Sequence, residues 1–299
     1  MFGTVRKWGE FVKFSHTIFA LPFALAAMMM AAKDNWGWPG WRTLLLILAA
    51  MVCARTCAMS FNRIADRKFD ALNPRTAGRH LPAGLISLGS AWTLCLLSGL
   101  GLVASAFLLN RVCFYLSPVA LAVICFYSLT KRFTAYTHFF LGAALALSPA
   151  GAWLAVRGEA IGGTEILRLA VMAGMVVFWV AGFDIIYALQ DYEFDRRAGL
   201  HSLVVAWGPQ NALTGAFLAH LLTWGLMVVF GLLSGFRFAY LIGLLLILGC
   251  LLLEHWLARR RGLNWINMAF FRLNALVSLI FLVLVAGEVV FRGGFRFEP

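Results

Sequence analysis

The sequence predicts an all-α membrane protein of nine transmembrane helices with its N-terminus in the cytoplasm. Three observations carry that reading. Of the 299 residues, 62% are hydrophobic and only 13% are charged, against about 25% charged in soluble domains. The mean hydropathy is +0.84, more apolar surface than a soluble core can hide. The apolar residues also fall into runs of about 20, the length at which a helix crosses a bilayer.

The runs are 15–33, 41–61, 87–109, 112–130, 136–156, 168–190, 211–233, 238–257 and 272–291, with short Gly, Pro or charged breaks such as DNWGWPG at 34–40. None shows the period-two alternation of a barrel strand, and lipid satisfies no backbone polar group, so helices are required. The first run lacks a small-residue cleavage site and reads as a retained span, not a signal peptide. No stretch has the composition of a soluble domain or a long linker, so 1–299 reads as a single domain.

Lys and Arg set the orientation. Sixteen fall on the side of the N-terminal tail, eight on the other, and Arg55 lies within a span. The net charge of +12 is therefore mostly a topology signal that calls for no nucleic acid partner, although a basic cytosolic face also attracts anionic lipid and pyrophosphate. The six cysteines lie inside apolar runs without a CxxC, and the histidines form no HExxH. Cys53 and Cys57 share a helix face, as small apolar packing groups do.

Two acidic motifs stand out. Asn62, Asp66 and Asp70 are spaced i, i+4, i+8, which on a helix keeps all three on one face. Asp191 and Asp195 repeat the i, i+4 step, and DRKFD and DYEFD are alike in wording. Four predicted spans separate the motifs, and an even number returns the chain to the same side. Both therefore sit at cytoplasmic helix ends. Carboxylates at a membrane boundary need a partner, and oxygen donors from Asp and Asn suit a hard cation such as Mg²⁺, which also binds phosphate oxygens. Facing acidic clusters suit a diphosphate held through one or two Mg²⁺. Arg63, Arg67, Lys68, Lys131, Arg132, Arg196 and Arg197 supply cations nearby. Ordinary salt-bridged loop ends are the alternative.

NRIADRKFDALNPRTAGRHLPAG at 62–84 resembles the first signature of the UbiA superfamily of intramembrane aromatic prenyltransferases. DYEFDRRAGLHSL at 191–203 resembles its second, YSLTKR at 127–132 its tyrosine-lysine motif, and KFSHTIFALPFA at 13–24 its first span. The resemblance covers nearly the whole chain. It implies nine helices around a central cavity, with Mg²⁺ on the two motifs. A polyprenyl diphosphate binds the metal, its tail runs toward the lipid bilayer, and an aromatic acid acceptor is alkylated on ring carbon. The residues it implies for metal and catalysis are Asn62, Asp66, Asp70, Asp191 and Asp195, with Arg67, Lys131 and Arg132 on the phosphates. Glu193, at i+2 from Asp191, points to another face. Arg75 and Arg79 are second-rank phosphate contacts.

An allylic diphosphate leaves only when its charge is neutralised, and the allyl cation needs a dry cavity and aromatic faces. Tyr127 and Tyr187 are the candidates for the latter. Arg55 lies seven residues before Asn62 and Asp184 seven before Asp191, each about two turns deeper on its motif's face. Arg55 either binds an anionic substrate group or pairs with Asp184. His16 and His201 are weaker candidates. Within the family the acceptor is 4-hydroxybenzoate, as in ubiquinone synthesis, or a hydroxynaphthoate, as in futalosine-route menaquinone synthesis. A secondary transporter is the reading from another class, but acids at the membrane edge instead of the midplane speak against it. The location expected is a bacterial or archaeal plasma membrane, with the active site facing the cytoplasm.

Overall fold

The computed structural model describes residues 2–13, 17–260 and 263–291, and all regular structure among them is helical. In chain order the helices are α1 (Phe2–Phe11), α2 (Thr17–Ala31), α3 (Trp41–Leu72), α4 (Leu88–Leu109), α5 (Arg111–Phe126), α6 (Thr137–Arg157), α7 (Gly163–Ala188), α8 (Tyr192–Arg197), α9 (Leu203–Trp207), α10 (Pro209–Ser234), α11 (Phe238–Arg260) and α12 (Leu263–Phe291). Eight stretches are long and apolar enough to cross a membrane. They correspond to the last eight predicted runs. The first run, 15–33, appears as the 15-residue α2, short of a full crossing by its own length. The short amphipathic α1 was not predicted.

Boundaries shift where the sequence changes character. The second run ends at 61 by hydropathy, but α3 continues to Leu72, because nothing in FNRIADRKFDAL breaks a helix. Pro74 ends it, since the residue before a proline is driven to extended backbone. Asn73 accordingly sits at φ −86, ψ 117 and donates its N–H to Phe69 O. The fourth run is α5 followed by a 3₁₀ segment, Tyr127–Arg132. α7 likewise gives way to a 3₁₀ turn, Leu189–Asp191, before α8. Asn110 starts α5 by accepting from the Cys113 N–H at 2.9 Å and reaches across to Leu154 O at 2.9 Å.

α3 packs on α4, α7 on both α6 and α10, α2 on α6 and α12, and α11 on α12. Lipid tails are as apolar as leucine, so close packing and buried hydrogen bonds hold such helices together. Two glycines on α6 and α7 permit close approaches to neighbouring helices. A Cβ at Gly142 would stand 2.4 Å from Val177 O, and one at Gly182 would stand 2.3 Å from the His220 ring. Phe23, Trp153, Trp179, Phe230 and Phe281 fill the core. A polar chain threads it: Trp179 Nε1 donates to Asn274 Oδ1 at 2.8 Å, and Asn274 Nδ2 donates to Glu254 Oε1 at 2.7 Å. The outer surface is studded with exposed apolar side chains such as Leu96, Leu97, Leu100 and Phe107, as a lipid-facing surface requires.

Candidate active site

Two cavities, each of about 300 Å³, meet inside the bundle. One is lined almost wholly by apolar side chains of α3, α4, α5 and α6, among them Ile47, Met51, Leu116 and Ile124. The other is polar and holds both acidic motifs. Arg55, Met59, Tyr127, Leu141 and Leu145 line both and mark the junction. A charged compartment thus opens directly onto a hydrocarbon one.

The polar cavity is built from the extended end of α3. Asn62, Asp66 and Asp70 lie along one of its faces, as the four-residue spacing requires, and all three line the cavity. Asn62 Nδ2 donates to Asp66 Oδ2 at 3.1 Å and to Ser128 Oγ at 3.4 Å. Across the cavity the break after α7 presents Asp191 and Asp195, both buried.

Each motif carboxylate meets a cation. Arg75 Nε donates to Asp191 Oδ1 at 2.8 Å, Arg79 Nη1 to Asp70 Oδ1 at 2.6 Å, Lys131 Nζ to Asp195 Oδ2 at 3.2 Å and Arg132 Nη2 to Asp66 Oδ1 at 3.4 Å. Asn73 Nδ2 adds a second donor to Asp191 Oδ1 at 3.0 Å. Arg75 also reaches Tyr187: Nη1 donates to the phenolic oxygen at 3.1 Å, and the guanidinium carbon lies 5.4 Å from the ring centroid. Burial works against the Arg75 charge, but the bonds to Asp191 and Tyr187 outweigh it and hold its pKa above the usual arginine value.

Donor chemistry fits a hard divalent cation: the acids and the amide supply oxygen alone, and Asp70 Oδ2 is buried with no hydrogen-bond partner. The carboxylates have not converged, however. Among the described residues no three His, Cys, Asp or Glu side chains form a metal-holding group. Their charge is balanced from within, by cations that a diphosphate can also engage.

Of the sequence candidates, Arg55, Arg63, Tyr127, Lys131, Arg132, Asp184 and Tyr187 line the polar cavity with the five motif residues. Arg67 and Lys68 do not. One and two positions after Asp66, they are rotated about 100° and 200° off its face. Arg196 and Arg197 are exposed, and Arg197 pairs with Glu193 at 3.8 Å on the outside of α8. His201 contributes only backbone, its N–H donating to Lys131 O at 2.7 Å, and His16 lies outside the described residues. The pairing of Arg55 with Asp184 is not what forms. Arg55 Nη2 donates to Lys13 O at 3.2 Å, and Asp184 Oδ2 is bonded to His138 Nδ1 at 2.6 Å. The Arg55 Nε is buried without a partner.

Lys13, Asn73 and His138 were not among the sequence candidates, and Arg75 and Arg79, read as second-rank phosphate contacts, form two of the ion pairs to the motif carboxylates. Lys13 lines the polar cavity from the turn that ends α1, with φ at +50. Partial desolvation and the neighbouring Arg63, Arg79 and Arg75 lower its pKa. It was the first residue of the KFSH stretch, and Asn73 and Arg75 flank the proline of NPR. Those wordings were the available signal.

This arrangement, two oxygen-donor motifs with cations over an apolar chamber, suits an enzyme acting inside the membrane on an anionic lipid-like substrate. The UbiA prenyltransferase family model matches residues 20–276. The chain belongs to that family of intramembrane prenyltransferases and is a multi-pass membrane protein. It is 32% identical over 245 residues to a 4-hydroxybenzoate octaprenyltransferase of Tolumonas auensis, covering 82% of this chain and 84% of the relative. To one of Nitrosospira multiformis it is 32% identical over 256 residues, covering 85% and 86%. Among solved structures, a UbiA homolog from Aeropyrum pernix K1 superposes with a TM-score of 0.81 at 33% identity, covering 90% of this chain and 96% of that one. A homolog from Archaeoglobus fulgidus bound to DMAPP and Mg²⁺ shares the fold at 21% identity, with a TM-score of 0.68 and coverage of 93% and 99%.

Proposed function

We propose that the chain transfers a polyprenyl group from a polyprenyl diphosphate to a ring carbon of 4-hydroxybenzoate, with Mg²⁺ as cofactor, in the direction of ubiquinone. The observation that carries the reading is the facing of Asn62, Asp66 and Asp70 with Asp191 and Asp195 across a polar cavity continuous with an apolar one. The names of the relatives support the acceptor.

In this reading Asn62, Asp66, Asp70, Asp191 and Asp195 hold the metal, which supplies Lewis-acid neutralisation of the diphosphate when bound. Arg75, Arg79, Lys131 and Arg132 exchange their carboxylate contacts for phosphate oxygens, and Lys13 adds a further cation on the cavity wall. Leaving-group charge is then matched, and the allylic carbon–oxygen bond breaks. The apolar chamber takes the tail and keeps water from the cation. Tyr127 and Tyr187 offer aromatic faces to it. Arg55, at the junction with a buried donor unused, receives the acceptor's carboxylate. Both motifs face the cytoplasm, α2 completes nine membrane helices with the eight longer ones, and the chain is one domain.

The test is purified protein in lipid nanodiscs with Mg²⁺, a long prenyl diphosphate and a panel of aromatic acids. Prenylated 4-hydroxybenzoate with stoichiometric diphosphate is the result expected. Product from hydroxynaphthoates alone overturns the acceptor, and no product from any acceptor overturns the enzyme reading.

A further inference from the structure

Aromatic prenylation needs a group that the diphosphate machinery does not supply. Once the ring carbon has bonded to the allyl cation it carries one hydrogen too many, and a base must take it. Four cavity carboxylates are committed: Asp66, Asp70, Asp191 and Asp195 each meet an arginine or lysine and belong to the diphosphate end. Asp184 differs. It lines the same cavity, and its hydrogen-bonded partner is His138, at 2.6 Å, with the Lys131 charge acting on it only from a distance.

Placement agrees with the chemistry. Asp184 lies seven residues before Asp191 on α7, about 10 Å deeper along the helix axis, hence beyond the phosphates on the side where the allylic carbon is released. His138 is three and seven residues before Leu141 and Leu145 on α6, and those leucines line the junction of the two chambers. The His138 side chain is wholly buried, while that of Asp184 keeps 22% exposure. With Oδ2 taken by His138, Oδ1 is the carboxylate oxygen left to the cavity. His138 Nε2 is buried and makes no hydrogen bond. A ring nitrogen carrying a hydrogen pays more for such isolation than a bare lone pair does next to a carboxylate that wants a donor at Nδ1. The neutral tautomer with hydrogen on Nδ1 satisfies Asp184 and leaves only the lone pair unmet.

We propose that Asp184 is the base that removes the ring proton, and that His138 is the residue that positions it. This rests on the prenyltransferase reading above. The allylic carbon–oxygen bond breaks, and its electron pair departs with the diphosphate. A ring carbon ortho to the phenolic oxygen supplies the pair for the new carbon–carbon bond. Its carbon–hydrogen bond then breaks, that pair restores the aromatic ring, and the proton passes to Asp184 Oδ1. The carboxylate becomes a carboxylic acid, later relieved of its proton by water at the polar mouth. His138 Nδ1 donates to Oδ2 throughout. It aims the carboxylate without placing a full positive charge beside the carbocation.

The experiment uses the full-length protein in nanodiscs with 4-hydroxybenzoate and its ring-deuterated form. Asp184→Asn keeps shape and removes the base. Its kcat is expected to fall about 100-fold or more, the usual span of proton-transfer catalysis, and a normal primary isotope effect on product formation is expected where the unaltered protein shows none. His138→Ala is expected to show the same isotope effect with an unchanged acceptor KM. His138→Asn, whose amide can donate in place of Nδ1, is expected to restore most of kcat. Unchanged kcat in Asp184→Asn overturns the proposal, as does an equal loss without any isotope effect, which assigns Asp184 to binding. Should Asp184→Asn not fold, the two His138 variants decide by the same isotope effect. If the unaltered protein prenylates no aromatic acid, the underlying reading fails and this inference falls with it. If it does, the variants alone decide.

Discussion

Arg75 and Asp191 stand 116 positions apart in the chain and are joined by a two-point ion pair, Nε on Oδ1 at 2.8 Å and Nη2 on Oδ2. The loop that follows the first motif is thereby fastened to the second. In the functional reading the same guanidinium leaves Asp191 for phosphate. Arg75→Ala then loses a charge-assisted contact worth about 1.5–3 kcal/mol, and the KM for prenyl diphosphate rises about 10- to 100-fold. Steady-state kinetics at saturating acceptor reads this. A cycle with Asp191→Ala is non-additive, because each variant removes the other's partner.

Removing a motif carboxylate strikes the clamp itself. Asp66→Ala and Asp191→Ala are expected to lower turnover by at least about 100- to 1000-fold, the scale of losing one preorganised electrostatic group, while membrane insertion persists. Chelation of Mg²⁺ is expected to stop diphosphate release reversibly. Release that continues unabated in excess chelator contradicts the metal assignment.

Lys13 carries opposed roles. Its folded-state pKa lies below the usual lysine value of 10.5, through partial desolvation and then Arg63, Arg79 and Arg75. Between the lowered value and 10.5 the unfolded chain holds more of this proton than the folded one, so stability gains as pH rises through that window. Lys13→Met is expected to raise the unfolding temperature of the ligand-free protein near neutral pH, to remove that pH-dependent gain, and to weaken prenyl diphosphate binding. Thermal unfolding across alkaline pH, with and without the diphosphate, measures all three.

Arg55→Ala separates the two substrates. In the functional reading Arg55 holds the acceptor's carboxylate, so the acceptor KM is expected to rise about 10-fold or more, as for a lost hydrogen bond to a charged group, with prenyl diphosphate affinity unchanged. Equal losses for both substrates place Arg55 on the phosphates instead.

Gly182 tests the packing that holds α7. A methyl group there meets the His220 ring and Ala216 O, and overpacking of this kind costs about 1–3 kcal/mol. Gly182→Ala is expected to lower the unfolding temperature in detergent, while Gly225→Ala, where an added Cβ meets nothing within 4 Å, is not.

What the sequence showed followed from periodicity. The Asn62, Asp66, Asp70 face and the repeat at Asp191 and Asp195 were readable because a helix converts spacing into direction. Arg67 and Lys68 are turned about 100° and 200° from Asp66 and stay outside the cavity lining, whereas Arg63, next to Asn62 and deeper in the bundle, still lines it, so spacing alone did not separate the three. Lys13 and Asn73, signalled only by the wording of KFSH and NPR, escaped spacing for the opposite reason. They sit where the backbone leaves the helix, at φ +50 and at a proline-forced extended residue, and no spacing rule reaches across such turns. Hydropathy found the spans but stopped α3 at 61, because polar residues end an apolar run without ending a helix. The bond between His138 and Asp184 joins two helices 46 positions apart, a matter of packing that no local pattern encodes.

The internal neutralisation of the acidic motifs has a consequence for how the protein is made. A cluster of bare carboxylates at a membrane boundary would have to wait for its ion before the bundle could close. Here Arg75, Arg79, Lys131 and Arg132 already balance those carboxylates, so in the functional reading the bundle needs no bound ion in order to close. In that reading, loading with metal follows the arrival of the diphosphate and can recur with each turnover.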